Sequence, residues 1–124
     1  MTPVSTIKPQ VKSTAGAVTS DVFYSMQNYV KATIACTAVM GGDNCSVACQ
    51  ALEATDANGS NAANITGKTA TLSGDNGDVD TDTIVVLESD LSDATNYLGV
   101  KMTPDTDSTV VSAVIVFEHE RYLN

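Results

Sequence analysis

The three cysteines are the residues of this chain best suited to covalent or metal chemistry. Cys45 and Cys49 lie on one face of a predicted strand, about 13 Å apart at the usual rise, which is too far for a bond between them. Cys36 lies opposite Cys49 if residues 41–44 form a hairpin turn, so a Cys36–Cys49 disulfide is one hypothesis. The other is that all three are small buried apolar groups, as free cysteines usually are. Zinc would need a fourth ligand, and the single histidine lies far along the chain.

Alternating carboxylates form the second candidate site. Asp78, Asp80 and Asp82 occupy every second position, and calcium prefers several carboxylate oxygens at about 2.4 Å. The run does not match an EF-hand loop, because Thr83 stands where the turn glycine belongs. Calcium is therefore a hypothesis here, set against the reading of an ordinary solvated acidic loop, and the sequence indicates no other cofactor.

The sequence offers no catalytic constellation. His119 lies between Glu118 and Glu120, but adjacent residues of a strand face opposite ways, so the two glutamates do not flank the imidazole. No nucleophile motif accompanies the histidine. We therefore expect a protein without enzyme activity.

Length and charge exclude several classes of partner. A chain of 124 residues fits one domain, and its net charge is −9, from 15 acids against 6 bases. Nucleic-acid binding requires lysines and arginines to neutralise phosphates, so we expect neither a nucleic-acid nor a membrane partner. No stretch predicts a signal peptide or a membrane span, so synthesis in a cytoplasm is expected.

Hydrophobic alternation predicts strands throughout the chain. It is clearest over residues 30–40 and 45–54, whose apolar faces coincide if Gly41–Asn44 is a hairpin turn. Five further segments are expected to be strands, at residues 21–24, 65–72, 83–88, 97–103 and 109–122. Residues 73–82 are expected to form an acidic loop, and residues 91–96 a helical turn or bend. The last strand is apolar on both faces over Val110–Phe117, so it is either central or in contact with a partner.

The fold class that follows is all-β, an antiparallel β-sandwich (jelly-roll or Ig-like) of seven to eight strands. Residues 1–20 have no acid and no regular period, and they are expected to form an extended N-terminal arm, the alternative being a disordered tail. Residues 21–124 are expected to form the sandwich domain.

Four segments, taken in order, resemble small virion structural proteins of tailed bacteriophages. They are a D…M.NY opening, an ITGK stretch after a loop rich in Asp, Ala, Asn and Gly, an L…Y.gVk.T strand, and a closing vsaVvv…RY strand. In this sequence they stand at Asp21, Met26, Asn28 and Tyr29; Asn64–Lys68; Leu91, Tyr97 and Val100–Thr103; and Val111–Val116 with Arg121 and Tyr122. The resemblance covers residues 21–124.

This resemblance implies a head decoration (cement) protein of the virion, made in the host cytoplasm. The major capsid protein or neighbouring virion subunits would be its partners, and a homo-oligomer, preferably a trimer, is expected. Contact is expected through the arm with Lys8 and Lys12, through the last strand with Arg121 and Tyr122, and through the acidic loop. No catalytic residue carries over.

Two alternatives stay open. A neck, collar or tail component fits the same resemblance. A carbohydrate- or receptor-binding module belongs to another class, and sugar sites usually offer exposed aromatic rings. With no Trp and four Tyr the chain is poorly equipped for such a site. An exposed Tyr97 or Tyr122 in a concave patch would favour it.

Overall fold

The computed structural model describes residues 2–12, 16–27, 29–92 and 94–120, with the backbone alone at residues 2–12, 119 and 120. Within these ranges the chain forms nine strands and one 3-10 turn, Glu88–Asp90. The strands are β1 Thr2–Lys12, β2 Val18–Thr19, β3 Tyr24–Ser25, β4 Tyr29–Val39, β5 Cys45–Ala54, β6 Ala63–Gly74, β7 Val79–Leu87, β8 Tyr97–Pro104 and β9 Thr109–Glu120. No helix of the described residues has the length and hydropathy needed to span a bilayer.

The strands form two antiparallel sheets. The first sheet has the order β1-β9-β4-β7, and the second has the order β2-β8-β5-β6, with β3 added against β8. Strands from the two halves of the chain pair in sequence as β1·β9, β2·β8, β4·β7 and β5·β6. This is one long hairpin rolled into a sandwich, with its tip between β5 and β6. The predicted all-β sandwich is confirmed, and the topology is that of a jelly roll.

The core lies between the sheets because each long strand turns alternate side chains inward. In β4 the inward residues Ala32, Ile34, Cys36 and Ala38 are at most 1% exposed. The same period of two buries the odd-numbered residues of β9 and the even-numbered residues of β8. Thr109 is also fully buried, and its hydroxyl is satisfied by donating to the Thr106 carbonyl at 2.9 Å.

The hairpin predicted between β4 and β5 is wrong. β4 pairs with β7 and β9, whereas β5 pairs with β6 and β8 in the other sheet. Residues 41–44 carry the chain across the sandwich as an arch. The coinciding apolar faces of β4 and β5 do not distinguish a hairpin within one sheet from an arch between two sheets. In both arrangements the two strands turn their apolar sides towards the same core.

The N-terminal segment is extended, as predicted. β1 pairs with β9 of its own chain from Thr2↔Phe117 to Lys12↔Thr109, with two register irregularities. β2 follows as a short partner of β8, and its Val18 is buried. The division of the chain at residue 20 into arm and domain stays a prediction.

Elsewhere the observed strand bounds differ from the predicted ones mainly around β7. β7 begins at Val79, so the predicted acidic loop shortens to residues 75–78. The helical turn lies at Glu88–Asp90, just before the predicted span. β9 occupies a central position between β1 and β4, which is one of the two alternatives that its apolar faces predicted, and β6 is an edge strand.

The arch supplies a direct test of this topology. A Cβ added at Gly41 would lie 2.2 Å from the Asp107 carbonyl oxygen, whereas one at Gly42 would meet only the movable Thr106 methyl at 2.8 Å. We expect Gly41→Ala to lower the free energy of unfolding by about 1–3 kcal/mol, the usual cost of overpacking. Gly42→Ala should cost clearly less. Urea denaturation of both variants measures this, and equal losses would contradict the close packing of the arch beneath the β8–β9 loop.

Candidate interaction surface

The outward side of the first sheet carries, over its strands β9, β4 and β7, a surface of uncharged and mostly small branched side chains. Three adjacent strands, β9, β4 and β7, contribute thirteen outward residues to it, six of them Val and four Thr. We call this surface the Val/Thr face. Its members are Thr33, Ala35, Thr37, Val39, Val79, Thr81, Thr83, Val85, Leu87, Val110, Ser112, Val114 and Val116.

Strand register aligns these residues in rows across the sheet. Ala35 lies between Thr83 and Val114, and Val39 lies between Val79 and Val110. β-Branched residues pack well as such cross-strand neighbours. The rows form a continuous surface, and Thr37 and Thr81 add a hydroxyl contact of 3.3 Å within it.

Charged groups lie around the Val/Thr face and not on it. At one end the Lys31 ammonium and the Glu118 carboxylate form an ion pair of 3.5 Å. The aspartates of β7, Asp80 and Asp82, occupy even positions and point to the opposite side of the strand, the side of buried Ile84. In a chain of net charge −9, three strands thus present a neutral surface.

Apolar exposure is concentrated on this face. Six large apolar side chains of the described residues are exposed by at least 36%, and four of them belong to it: Val39, Val79, Val85 and Leu87. The second sheet differs on its outward side, where hydroxyl, amide and lysine groups surround Ala48. Those groups are Ser46, Gln50, Thr69, Thr71, Ser73, Lys101 and Thr103. The two outer surfaces of the sandwich are therefore chemically unequal.

The predicted calcium ligands serve as acceptors for backbone N–H groups. Asp78 accepts from the Asp75 N–H at 2.9 Å, and Asp80 accepts from the Ser73 N–H at 2.9 Å. Asp82 accepts from the N–H of the residue that follows it at 2.8 Å. Within the described part of the chain, no three His, Cys, Asp or Glu residues gather where they could hold a metal ion.

Further carboxylates tie the loops at this end of the sandwich together. Asp43 accepts from the Asn76 N–H at 3.1 Å, and Asp75 accepts from the Asn44 N–H at 3.0 Å. Asp105 accepts from the Ser46 N–H at 2.8 Å. A pocket of about 380 Å³ opens between two of these loops, lined by Asn44, Cys45, Ser46, Ser73, Gly74, Asp75 and Asp78. The acidic side chains here organise the loops.

Cys36 and Cys49 meet across the core from the two sheets. All three cysteines are free and buried. The hydrogen bond between the Cys36 and Cys49 thiols, followed by burial, raises the pKa of Cys36. The contact therefore exists, although the hairpin register that suggested it does not. Cys45 lies apart from this pair, with its sulfur 3.4 Å from the Thr109 hydroxyl. The Cys36–Cys49 disulfide stays a prediction.

The aromatic rings that the structure describes are packed inward. Tyr97 is half-buried against Phe23 and Leu52, and Tyr29 stacks at 4.9 Å on the ring of Phe117. Tyr97 thus offers no open stacking platform for a sugar. The predicted contact residues Arg121 and Tyr122 lie outside the described residues, as do the side chains of Lys8, Lys12 and His119.

Only the β9 part of the Val/Thr face was found from the sequence, as the apolar outward side of Val110–Phe117. The β7 part was missed because residues 79–82 were assigned to an acidic loop. The signal that could have revealed it is the run Val79, Thr81, Thr83, Val85, Leu87 at alternate positions. The aspartates between these residues obscured that pattern.

Comparison with solved structures supports the fold. XepA, the PBSX exported protein, superposes with a TM-score of 0.58 at 10% identity, over 99% of this chain and 40% of XepA. A chain of the T13 particle of infectious bursal disease virus superposes with a TM-score of 0.59 at 7% identity, over 95% of this chain and 30% of its own length. PirA gives a TM-score of 0.51 at 8% identity, over 93% and 95%.

These likenesses establish a shared β-sandwich fold. This chain spans less than half the length of the XepA and virus-particle chains it matches. No family model and no curated protein matches the sequence.

Acidification should lower the stability of the protein by protonating the Asp105 carboxylate, which holds the β8–β9 loop to the start of β5 at one end of the sandwich. Hydrogen bonds from the Ser46 N–H and the Thr106 hydroxyl lower the pKa of this carboxyl below its ordinary value of 3.8. Because the folded pKa is the lower one, its stabilisation is present above pH 3.8 and is lost as the pH falls through the folded pKa. We expect Asp105→Asn to be less stable than wild type at pH 7 and to lose less stability than wild type on acidification.

Thermal unfolding from pH 7 to pH 2 measures this difference. Asp21→Asn, an exposed aspartate outside these loops, makes the same change in net charge and serves as the control. If both variants follow the same acid curve, Asp105 has no special part in the loop.

Alkylation should distinguish the two hypotheses for the cysteines. At pH 8 the native thiols should resist iodoacetamide because all three are buried. At Cys36 the raised pKa also disfavours the thiolate, which is the nucleophile. After unfolding without reductant we expect three alkyl groups per chain by intact mass. A single alkyl group would instead indicate the Cys36–Cys49 disulfide.

Proposed function

We propose that this chain is a structural subunit of a bacteriophage virion, and specifically a head decoration or cement protein. It would bind the outer surface of the head, with the major capsid protein or neighbouring virion subunits as partners, and would stabilise the shell. A neck, collar or tail position is the alternative within the same class.

The observation that carries the proposal is the neutral Val/Thr face on a strongly acidic chain. Acidic surfaces keep copies of a protein apart in solution, and the Val/Thr face has no carboxylate. The outward residues around Ala48 also lack carboxylates, but they expose polar groups in place of large aliphatic ones. Four exposed aliphatic side chains on one face of a sheet are typical of an interaction surface. The jelly-roll fold and the ordered resemblance to phage virion proteins support the same role.

A cement protein can act through contacts that are individually weak. On a symmetric shell each copy faces repeated sites, so several modest contacts add up to a long residence time. The proposal includes no catalytic step. Asp78 and Asp105 accept hydrogen bonds from backbone N–H groups, the three thiols are buried, and the proposed work is binding alone.

Particle fractionation tests the proposal. Phage particles from the producing lysate are purified on a density gradient, and the protein is quantified by mass spectrometry and located by immunogold labelling. We expect many copies per particle, with label over the head, and heads stripped of the protein should rupture at a lower temperature. Label at the neck or tail would favour the alternative position. A protein found only outside the particle fractions would contradict any virion role.

A further inference from the structure

β7 is an edge strand of the kind to which another chain can add a strand. It lies at the end of the first sheet and pairs with β4 alone among the described strands. The strand is nine residues long, and Val79, Val85 and Leu87 are exposed on its outward side. A long edge strand with exposed apolar residues is a template for strand addition and aggregation. The free side of β7 therefore has to be protected in a protein that stays in solution.

Carboxylates occupy backbone N–H groups on this free side. The Thr81 N–H donates to Asp80 at 2.9 Å. The Thr83 N–H donates to Asp82 at 2.8 Å. Because the N–H groups of an antiparallel strand point alternately to its two sides, these odd-numbered donors face away from β4. Donors that an added strand would use are thus already bonded to side chains of the same strand.

Two further contacts join the free side of β7 to β6, the last strand of the second sheet. Asp80 also accepts from the Ser73 N–H of β6 at 2.9 Å, so one carboxylate caps a donor on each sheet. At the other end of β7 the Leu87 N–H donates to Asp90 at 2.7 Å. The Lys68 ammonium of β6 lies 3.4 Å from the same Asp90 carboxylate. Side chains therefore close the side of the sandwich on which the two edge strands lie.

The charge of these aspartates adds to the effect of their hydrogen bonds. If β7 of two copies paired edge to edge, the strands would lie about 4.8 Å apart, and the aspartates of the two copies would come close together. Like charges opposite each other destabilise a strand pair. Asp80 and Asp82 also point to the inner side of the strand, and inward charges on an edge strand are one way in which proteins prevent pairing between sheets.

We infer that Asp80, Asp82 and Asp90 block the free edge of β7 and so prevent a second copy from adding a strand there. The inference goes beyond the proposed function, because it concerns a surface that must stay unbound. It also gives a role to the alternating aspartates that the sequence suggested as calcium ligands. Many copies of one chain in a small volume need such a block, since pairing of their edges would link them into aggregates.

Removal of one carboxylate tests the block. Asp82→Ala frees the Thr83 N–H, and Asp21→Ala makes the same change in net charge at an exposed residue between β2 and β3. Light scattering after size exclusion gives the mass of the full chain and of each variant from about 10 µM to about 1 mM, the range in which exposed strand edges associate. Asp82→Ala should form species heavier than wild type as the concentration rises, and the Asp80→Ala/Asp82→Ala variant should do so at lower concentration. Asp21→Ala should keep the mass of wild type.

A proline distinguishes edge pairing from aggregation of an unfolded variant. Because the Thr83 N–H faces the free side, Thr83→Pro removes no hydrogen bond to β4, and proline on an edge strand obstructs strand addition. Added to Asp82→Ala, it should return the mass to that of wild type. Unfolded chains would aggregate with or without the proline.

A dilution series of ¹⁵N-labelled Asp82→Ala locates the contact without a second substitution. Amide shifts that change with concentration should lie in β7, foremost at Thr83. Three results would overturn the inference: a wild-type mass for Asp82→Ala at every concentration, equal association of Asp21→Ala, or concentration-dependent shifts that lie outside β7.

Discussion

The fold depends on β4, which is paired along nearly its whole length on both sides. β7 and β9 flank it, so that Ile34 lies between Ile84 and Ile115 in the core. This three-strand unit brings together residues 29–39, 79–87 and 109–120 of the chain. The pairing also fixes which side chains point inward. Because successive side chains of a strand alternate, the same pairing also fixes the outward rows of the Val/Thr face. Core and outer surface are two sides of one arrangement.

Most of the described acidic residues lie on the opposite side of β7 and in the loops, away from the Val/Thr face. In β7 they alternate with the outward Val and Thr residues and turn towards the margin of the sandwich, where Asp80 accepts a hydrogen bond from the backbone of β6. In the loops they accept backbone N–H groups that the turns leave unpaired, as Asp75 does for Asn44. Net charge is thereby directed to the end and the edges of the molecule. A chain with an excess of nine acids thus has no carboxylate among the described residues of the Val/Thr face.

The same reasoning separates structural from functional roles. Cys36 and Cys49 are inward residues of facing central strands, so their contact follows from the packing of the two sheets and their chemistry is restrained by burial. The alternating aspartates resemble a ligand set in the sequence but are divided among separate hydrogen bonds in the structure. Among the described residues, the Val/Thr face is the surface that exposes the most large aliphatic side chains. A protein built in this way is suited to assembly.

The sequence alone determined the all-β class and most of the long strands, because the two-residue period is a local property that can be read without knowing any neighbour. It also indicated, from the apolar residues on both sides of β9, that this strand is either central or in contact with a partner. Partner choice was decided only by the tertiary structure. Alternation in β4 is satisfied equally by a hairpin with β5 and by pairing with β7 and β9, and the second arrangement joins residues as distant as Cys36 and Ala113. The Val/Thr face, the arch at residues 41–44 and the loop ties of the aspartates all follow from that non-local pairing, since local periodicity does not specify which strands become neighbours.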